Sequence, residues 1–260
     1  MDLLLKNKVV LVTGGAKGIG AAIVRTVAEE GALPVIVDRD LDAGRTLEED
    51  LRLRGVRSLL ICSELANAEN CQNAIGQTIR GCDRLDALVN NAGLNDRVGL
   101  ESGNPKQYVE SLQRNLLHYY NMAHYALPHL KQSQGCILNI SSKTALTGQG
   151  GTSGYASAKG AILALTREWA VELLQYSIRV NAIVPAEVMT PLYQQWLSTF
   201  PNPEEKLKNI TERIPLGKRM TTPEEIAAMV AFLISPRASH ITGQHVFIDG
   251  GYVHLDRALQ

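Results

Sequence analysis

The chain has 260 residues, 45% hydrophobic and 20% charged, and its 26 Lys and Arg balance its 26 Asp and Glu. Zero net charge removes the electrostatic case for nucleic acid or an anionic membrane as partner, and no apolar run approaches the ~18 residues a membrane helix needs. Cys62, Cys71, Cys82 and Cys136 match no zinc spacing, so free thiols are expected and no metal site. Met1 to Lys8 offers no small-residue cleavage site, so no signal peptide is expected and the expected compartment is the cytoplasm.

In chain order, short β-branched runs alternate with longer helical patterns. Val9 to Val12 is the first predicted strand and Gly18 to Glu30 the first helix, with Ile23, Val24 and Val27 on one side. A strand at Pro34 to Val37 precedes a helix at Leu41 to Leu53. A strand at Ser58 to Ile61 precedes a helix at Ala68 to Ile79. There follow a strand at Asp86 to Val89, a helix over 105–130, a strand at Cys136 to Ile140, a helix over 153–175, a strand at Ile178 to Val184, a helix over 223–234 and a strand at His245 to Ile248. Such alternation predicts right-handed βαβ crossovers and one α/β domain over 1–260. It is a doubly wound (Rossmann-type), seven-stranded parallel sheet flanked by helices. Residues 187–215 depart from the pattern. Pro191, Pro201, Pro203 and Pro215 punctuate amphipathic pieces around Tyr193, Trp196, Leu197 and Phe200, which reads as short helices, either a small lid over the mouth of the fold or an ordinary packed excursion.

Thr13-Gly14-Gly15-Ala16-Lys17-Gly18-Ile19-Gly20 ends the first strand and opens the first helix. Glycines there let backbone N–H groups approach a pyrophosphate at a helix N-terminus. Asp38 ends the second strand, where a carboxylate accepts hydrogen bonds from adenosine ribose hydroxyls and repels a 2′-phosphate. NAD is therefore favoured. Arg39 and Lys17 are cations that can meet a 2′-phosphate, so NADP stays open.

Tyr155 and Lys159 lie four apart on a helix, hence on one face. A free phenol titrates near ~10, and an ammonium about 4–5 Å away would lower it by about two to three units. That would make the tyrosine a workable general base.

These residues sit within a set in one order: Thr13 to Gly20, Asn90-Asn91-Ala92-Gly93, Asn115, Asn139-Ile140-Ser141-Ser142, Tyr155 to Lys159, Val180 to Pro185 and Asp249-Gly250-Gly251. By this set the chain resembles the short-chain dehydrogenase/reductase family along essentially its full length. The resemblance implies that Tyr155 is the acid/base, that Ser142 hydrogen-bonds the reacting oxygen, that Lys159 lowers the tyrosine pKa and holds the nicotinamide ribose, and that Asn115 anchors a relay water. It implies a dinucleotide held by Gly14, Lys17, Gly18, Ile19, Gly20, Asp38 and Arg39, with Glu64, Leu65, Asn90, Ala92 and Gly93 on the adenosine side. Tyr155, Lys159, Pro185, Val188 and Thr190 would hold the nicotinamide side. Two departures stand out: Ala186 replaces the usual glycine after Pro185, and Glu64-Leu65 replaces an Asp-containing pair against the adenine.

Three variable segments, Ser141 to Gly150, Pro185 to Tyr193 and Tyr252 to Leu259, resemble the L-fucose dehydrogenase branch of that family. The branch implies a sugar substrate oxidised at its anomeric hydroxyl. Asn95, Ser142, Lys143, Gln149, Thr152, Tyr155, Glu187 and Trp196 would line the pocket. Reduction of a 3-oxoacyl thioester or a hydroxysteroid is the competing enzyme reading; separately, Lys143, Gln149 and Glu187 can be read as solvated loop residues. The family also implies a homotetramer through the helices near 105–130 and 153–175, with a C-terminal tail able to reach a neighbouring subunit.

Overall fold

Seven parallel strands form one sheet in a computed structural model that describes residues 1–255. They are β1 Val9–Thr13, β2 Leu33–Asp38, β3 Leu59–Cys62, β4 Ala87–Asn90, β5 Cys136–Ile140, β6 Arg179–Pro185 and β7 His245–Ile248. Their order across the sheet is β3-β2-β1-β4-β5-β6-β7. The order reverses between β1 and β4, and in open α/β sheets such a switch point opens a crevice at the carboxyl ends of the strands. Thr13 and Asn90 end the two strands that flank it.

The helices are α1 Gly18–Glu29, α2 Leu41–Leu53, α3 Ala68–Cys82, α4 Pro105–Leu112, α5 His118–Ser133, α6 Ser153–Glu172, α7 Pro191–Leu197, α8 Pro203–Thr211 and α9 Pro223–Ile234. Side chains of β1 alternate between two apolar layers. Val10 and Val12 pack with Ile23, Val24 and Val230 from α1 and α9. Val9 and Leu11 pack with Ile75, Tyr119, Ile162 and Trp169 from α3, α5 and α6. This two-sided burial explains why the strands read as nearly unbroken apolar runs.

One expectation is altered. The single helix expected over 105–130 is two, α4 and α5, joined by a π turn at Gln113–Leu117. Asn115 sits in that turn, wholly buried, its Oδ1 accepting from the Leu94 N–H at 2.8 Å and its Nδ2 donating to the Ser111 carbonyl at 3.1 Å. The amide ties the turn to the segment after β4 and so stabilises an extra residue that a regular helix excludes. In the 187–215 region two short helices form, α7 and α8, each opened by Pro at its start and capped by Thr190 and Asn202. Residues 256–260 of the tail lie outside the described residues, and with them the tail's reach to a neighbour.

Candidate active site

At the switch point, Gly14 and Gly18 adopt φ of +61° and +54°. A Cβ on Gly20 would stand 2.0 Å from the Gly14 carbonyl oxygen, so only glycine lets α1 pack on its own turn. Lys17 occupies the N-cap of α1 without a side-chain cap, which leaves first-turn N–H groups available to an anion. Asn91 holds the turn in place: its Nδ2 donates to the carbonyls of Thr13 and Gly14 at 2.9 and 3.1 Å, and its N–H donates to Thr13 Oγ1 at 2.9 Å. Asn90 precedes Asn91 at the end of β4. It is wholly buried, and its Nδ2 donates to Asn139 Oδ1 at 3.1 Å, which ties the end of β4 to β5. Ala92 is half-buried and Gly93 exposed at the crevice.

Asp38 accepts from the N–H groups of Ala16 and Asp40, each at 3.0 Å, and so braces the glycine turn from the end of β2. Asp40, not Asp38, caps α2. Both nearby cations are paired with carboxylates, Lys17 with Asp40 and Arg39 with Glu64. Glu64 thus turns outward to Arg39, while Leu65 is buried. Ile19 is half-buried on the first turn of α1.

Across the crevice, Ser142 follows β5, and Tyr155 and Lys159 project from α6. Lys159 Nζ donates to the Ile140 carbonyl at 2.8 Å and to Tyr119 Oη at 3.0 Å, and lies 5.6 Å from the centre of the Tyr155 ring. A Cβ on Gly93 would meet Asn115 Oδ1 at 3.1 Å and Lys159 Nζ at 3.5 Å, so these groups surround one point. The expected lowering of the tyrosine pKa is not found. Burial pushes Tyr155 up to about 12 despite a hydrogen bond with Ser142 that works the other way. The cause is mutual burial: desolvation pushes Lys159 itself down to about 7, and its amine is directed to Tyr119 and β5.

The pocket edge is less uniform than expected. Lys143 and Glu187 are not solvated; their side chains are 9% and 14% exposed and form an ion pair. Glu187 Oε2 also accepts from Tyr193 Oη at 2.8 Å, and Lys143 Nζ stands 4.1 Å over the Tyr252 ring. Asp249 fixes that aromatic ring's turn by accepting from the N–H groups of Gly251 and Val253. Trp196 is half-buried, edge-on to Tyr193 and Phe200, each at 5.0 Å. Thr152 is buried just before α6, whereas Asn95 and Gln149 are exposed and stand apart from this cluster of contacts. Pro185 ends β6, Val188 is buried, and Thr190 lies against Gly18, its Cγ2 3.3 Å from where a Cβ there would sit.

A family profile described as "Enoyl-(Acyl carrier protein) reductase" matches residues 14–253. L-fucose dehydrogenase of Bos taurus is 38% identical over 246 residues, 94% of this chain and 89% of that protein. The crystal structure of Cj0485 dehydrogenase shares 48% identity at a TM-score of 0.94, covering 100% of this chain and 99% of that one. L-Sorbose reductase from Gluconobacter frateurii, complexed with NADPH and L-sorbose, shares 27% identity at a TM-score of 0.93, covering 98% and 100%. The chain belongs to the short-chain dehydrogenase/reductase family. It is therefore an oxidoreductase, on a fold that binds a nicotinamide dinucleotide.

The glycine turn, the uncapped α1 terminus and Asp38 fit the pyrophosphate and ribose of such a dinucleotide. Of the two departures from the short-chain pattern, Ala186 is absorbed without strain, since its backbone stays out of the left-handed region. The Glu64 substitution redirects a carboxylate to Arg39. Sequence reasoning missed Thr13, Asn91, Tyr119, Tyr193 and Tyr252 as structural partners of the site. Thr13 and Asn91 lay inside quoted motifs; Tyr119 and Tyr252 carried no local signal, because Lys159 and Lys143 are distant in the chain, whereas Tyr193 meets Glu187 only six residues away. The four cysteines are free, no group of His, Cys, Asp and Glu among the described residues is arranged to hold a metal, and no helix there is long and apolar enough to cross a membrane.

Proposed function

We propose that this short-chain dehydrogenase oxidises the anomeric hydroxyl of an aldopyranose such as L-fucose to the 1,5-lactone, with Tyr155 as general base. The observation that carries this reading is the Lys143–Glu187–Tyr193 cluster beside Ser142. A buried ion pair is costly unless its remaining donors and acceptors are used. A polyhydroxylated ring supplies partners of both kinds, whereas an apolar steroid or acyl chain would leave them unpaired. Trp196 and Tyr193 offer aromatic faces for the apolar side of a sugar ring.

Bound dinucleotide would supply a hydride acceptor for the C1 hydrogen, held by the glycine turn, Asp38, Val188, Thr190 and Lys159. Ser142 would hydrogen-bond the anomeric oxygen. Tyr155 would take the hydroxyl proton as the C1–H bonding pair leaves, so the carbon ends as the lactone carbonyl. Tyr155 must first become a better base than burial leaves it; the charges of Lys159 and of a bound nicotinamide both act in that direction. Pairing of Lys17 and Arg39 with carboxylates leaves neither free for a 2′-phosphate, which supports NAD over NADP. Exposed Val109, Leu117, Tyr120, Val171 and Leu174 on α4 to α6 and their flanks support assembly through these helices, as a homotetramer.

An aldose panel read at 340 nm with NAD and NADP in parallel tests the proposal. Turnover of L-fucose, D-arabinose or L-galactose with NAD is expected. Inertness toward every aldose together with reduction of a 3-oxoacyl thioester would replace it.

A further inference from the structure

Tyr119 is the second residue of α5, directly after the π turn that holds Asn115, and it is wholly buried. Its ring packs in the apolar layer between α5, α6 and the sheet, a task phenylalanine would perform as well. The hydroxyl needs a separate reason, because burying one costs free energy unless it is hydrogen-bonded. It donates to the Ile140 carbonyl at 2.9 Å, which leaves its lone pairs to accept from Lys159 Nζ at 3.0 Å. Lys159 also donates to that same carbonyl at 2.8 Å. Two of the three ammonium protons are thereby assigned, and Nζ sits beside Gly93 at the crevice, where the third remains for a ligand.

We propose that Tyr119 is a positioning residue for Lys159: its hydroxyl is the acceptor that keeps the ammonium charged and fixed beside Tyr155. The inference rests on the Tyr155 and Lys159 roles proposed above. Titratable groups around Nζ are His118 and Tyr119 from α5 and Tyr155 from its own helix, while β5 contributes the Ile140 carbonyl. Burial raises the Tyr119 phenol well above its ordinary value, so it stays a neutral acceptor throughout the working range. Burial already drives Lys159 toward its neutral form, and losing an acceptor drives it further. Tyr155 then loses its counter-charge and is a weaker acid.

The test is Tyr119→Phe, which keeps the ring. Its kcat–pH profile with L-fucose and NAD is compared with that of wild type. The ascending limb is expected to move up by about one unit, giving about tenfold lower kcat near neutral pH and recovery in alkali. The second readout needs no substrate. With NAD bound, Tyr155 ionisation is followed at 295 nm as the difference between each protein and its Tyr155→Phe derivative, and its midpoint is expected to rise in Y119F. A superimposable profile and midpoint would overturn the proposal, as would a uniform loss of kcat with no displacement. If Tyr155→Phe itself keeps full turnover, the Tyr155 reading fails instead. Melting temperatures check folding, and Tyr119→Leu, which also lacks the hydroxyl, is expected to displace the midpoint in the same direction.

Discussion

The two ends of the sheet treat buried polar groups in opposite ways. At the amino end, Asp86 just before β4 is 7% exposed, and its carboxylate accepts from the Val9 N–H at 2.9 Å, Lys8 Nζ at 3.1 Å and Arg84 at 2.6 and 2.8 Å. Burial alone would raise its pKa, yet Arg84, Val9 and Lys8 together hold it below the usual value. At the carboxyl end, burial pushes Lys159 down and Tyr155 up, each away from its charged form. The buried side-chain polar atoms without a hydrogen-bond partner among the described residues are Asn90 Oδ1, Asp96 Oδ2, His118 Nδ1 and Thr144 Oγ1. Each belongs to a segment at or near that end: the close of β4, the stretch after it, the start of α5 and the loop after Ser142. Charge at one end is matched by fixed partners; at the other, burial leaves polar groups unpaired.

Substitutions at the two ends should therefore act on different quantities. The largest effect is expected from Tyr155→Phe, a loss of roughly a thousandfold in kcat with dinucleotide binding and melting temperature retained. Lys159→Met is expected to cost roughly a hundredfold in kcat and to raise stability at neutral pH by about 1–3 kcal/mol, since a buried ammonium is replaced by an apolar side chain. A lowered melting temperature for that variant would break the comparison. The sign with pH follows from linkage. Between about 7, the folded value, and about 10.4, the unfolded value, the unfolded chain binds more protons. The stabilising advantage of Lys159→Met is thus largest below pH 7 and fades as pH rises through that window.

Asp86→Asn should do the reverse. Loss of about 2 kcal/mol is expected, or roughly 4–8 °C in melting temperature, with kcat unchanged. Because the folded pKa of Asp86 is depressed, its contribution is present above the unfolded value of about 3.9 and is lost as pH falls through the folded value. Wild type and variant should converge in acid unfolding. The smallest effect is expected from Glu64→Gln, which releases Arg39: a gain of about two- to fivefold in the NADP/NAD ratio of kcat/KM, the scale of an exposed ion pair.

Much of the fold was legible because local signals agreed with it. Helix α2 starts where Asp40 caps it, and α9 where Thr222 and Glu225 form a capping box; both were read to their exact ends, as were β5 and β7. The break at Gln113–Leu117 was not legible, since hydrophobic periodicity does not register one extra residue in a turn. Site residues divided the same way. Gly14, Gly18, Ser142, Tyr155 and Lys159 stand in motifs and converge on the crevice. The Lys143–Glu187 contact joins residues 44 apart in the chain, and Tyr119 meets Lys159 across 40. Such pairings are written in the tertiary fold and in no local pattern. The same distance hid the reversal of the Tyr155 pKa: spacing placed a cation near the phenol but did not show that both would be desolvated.

The most direct measurement of the central claim is isotopic. L-Fucose carrying deuterium at C1 is incubated with the protein and NAD, and both products are examined by mass spectrometry. Transfer of the deuterium to the reduced dinucleotide, with the 1,5-lactone as carbon product, is the expected result. An unlabelled dinucleotide and unchanged sugar, from protein that reduces a 3-oxoacyl thioester, would contradict it.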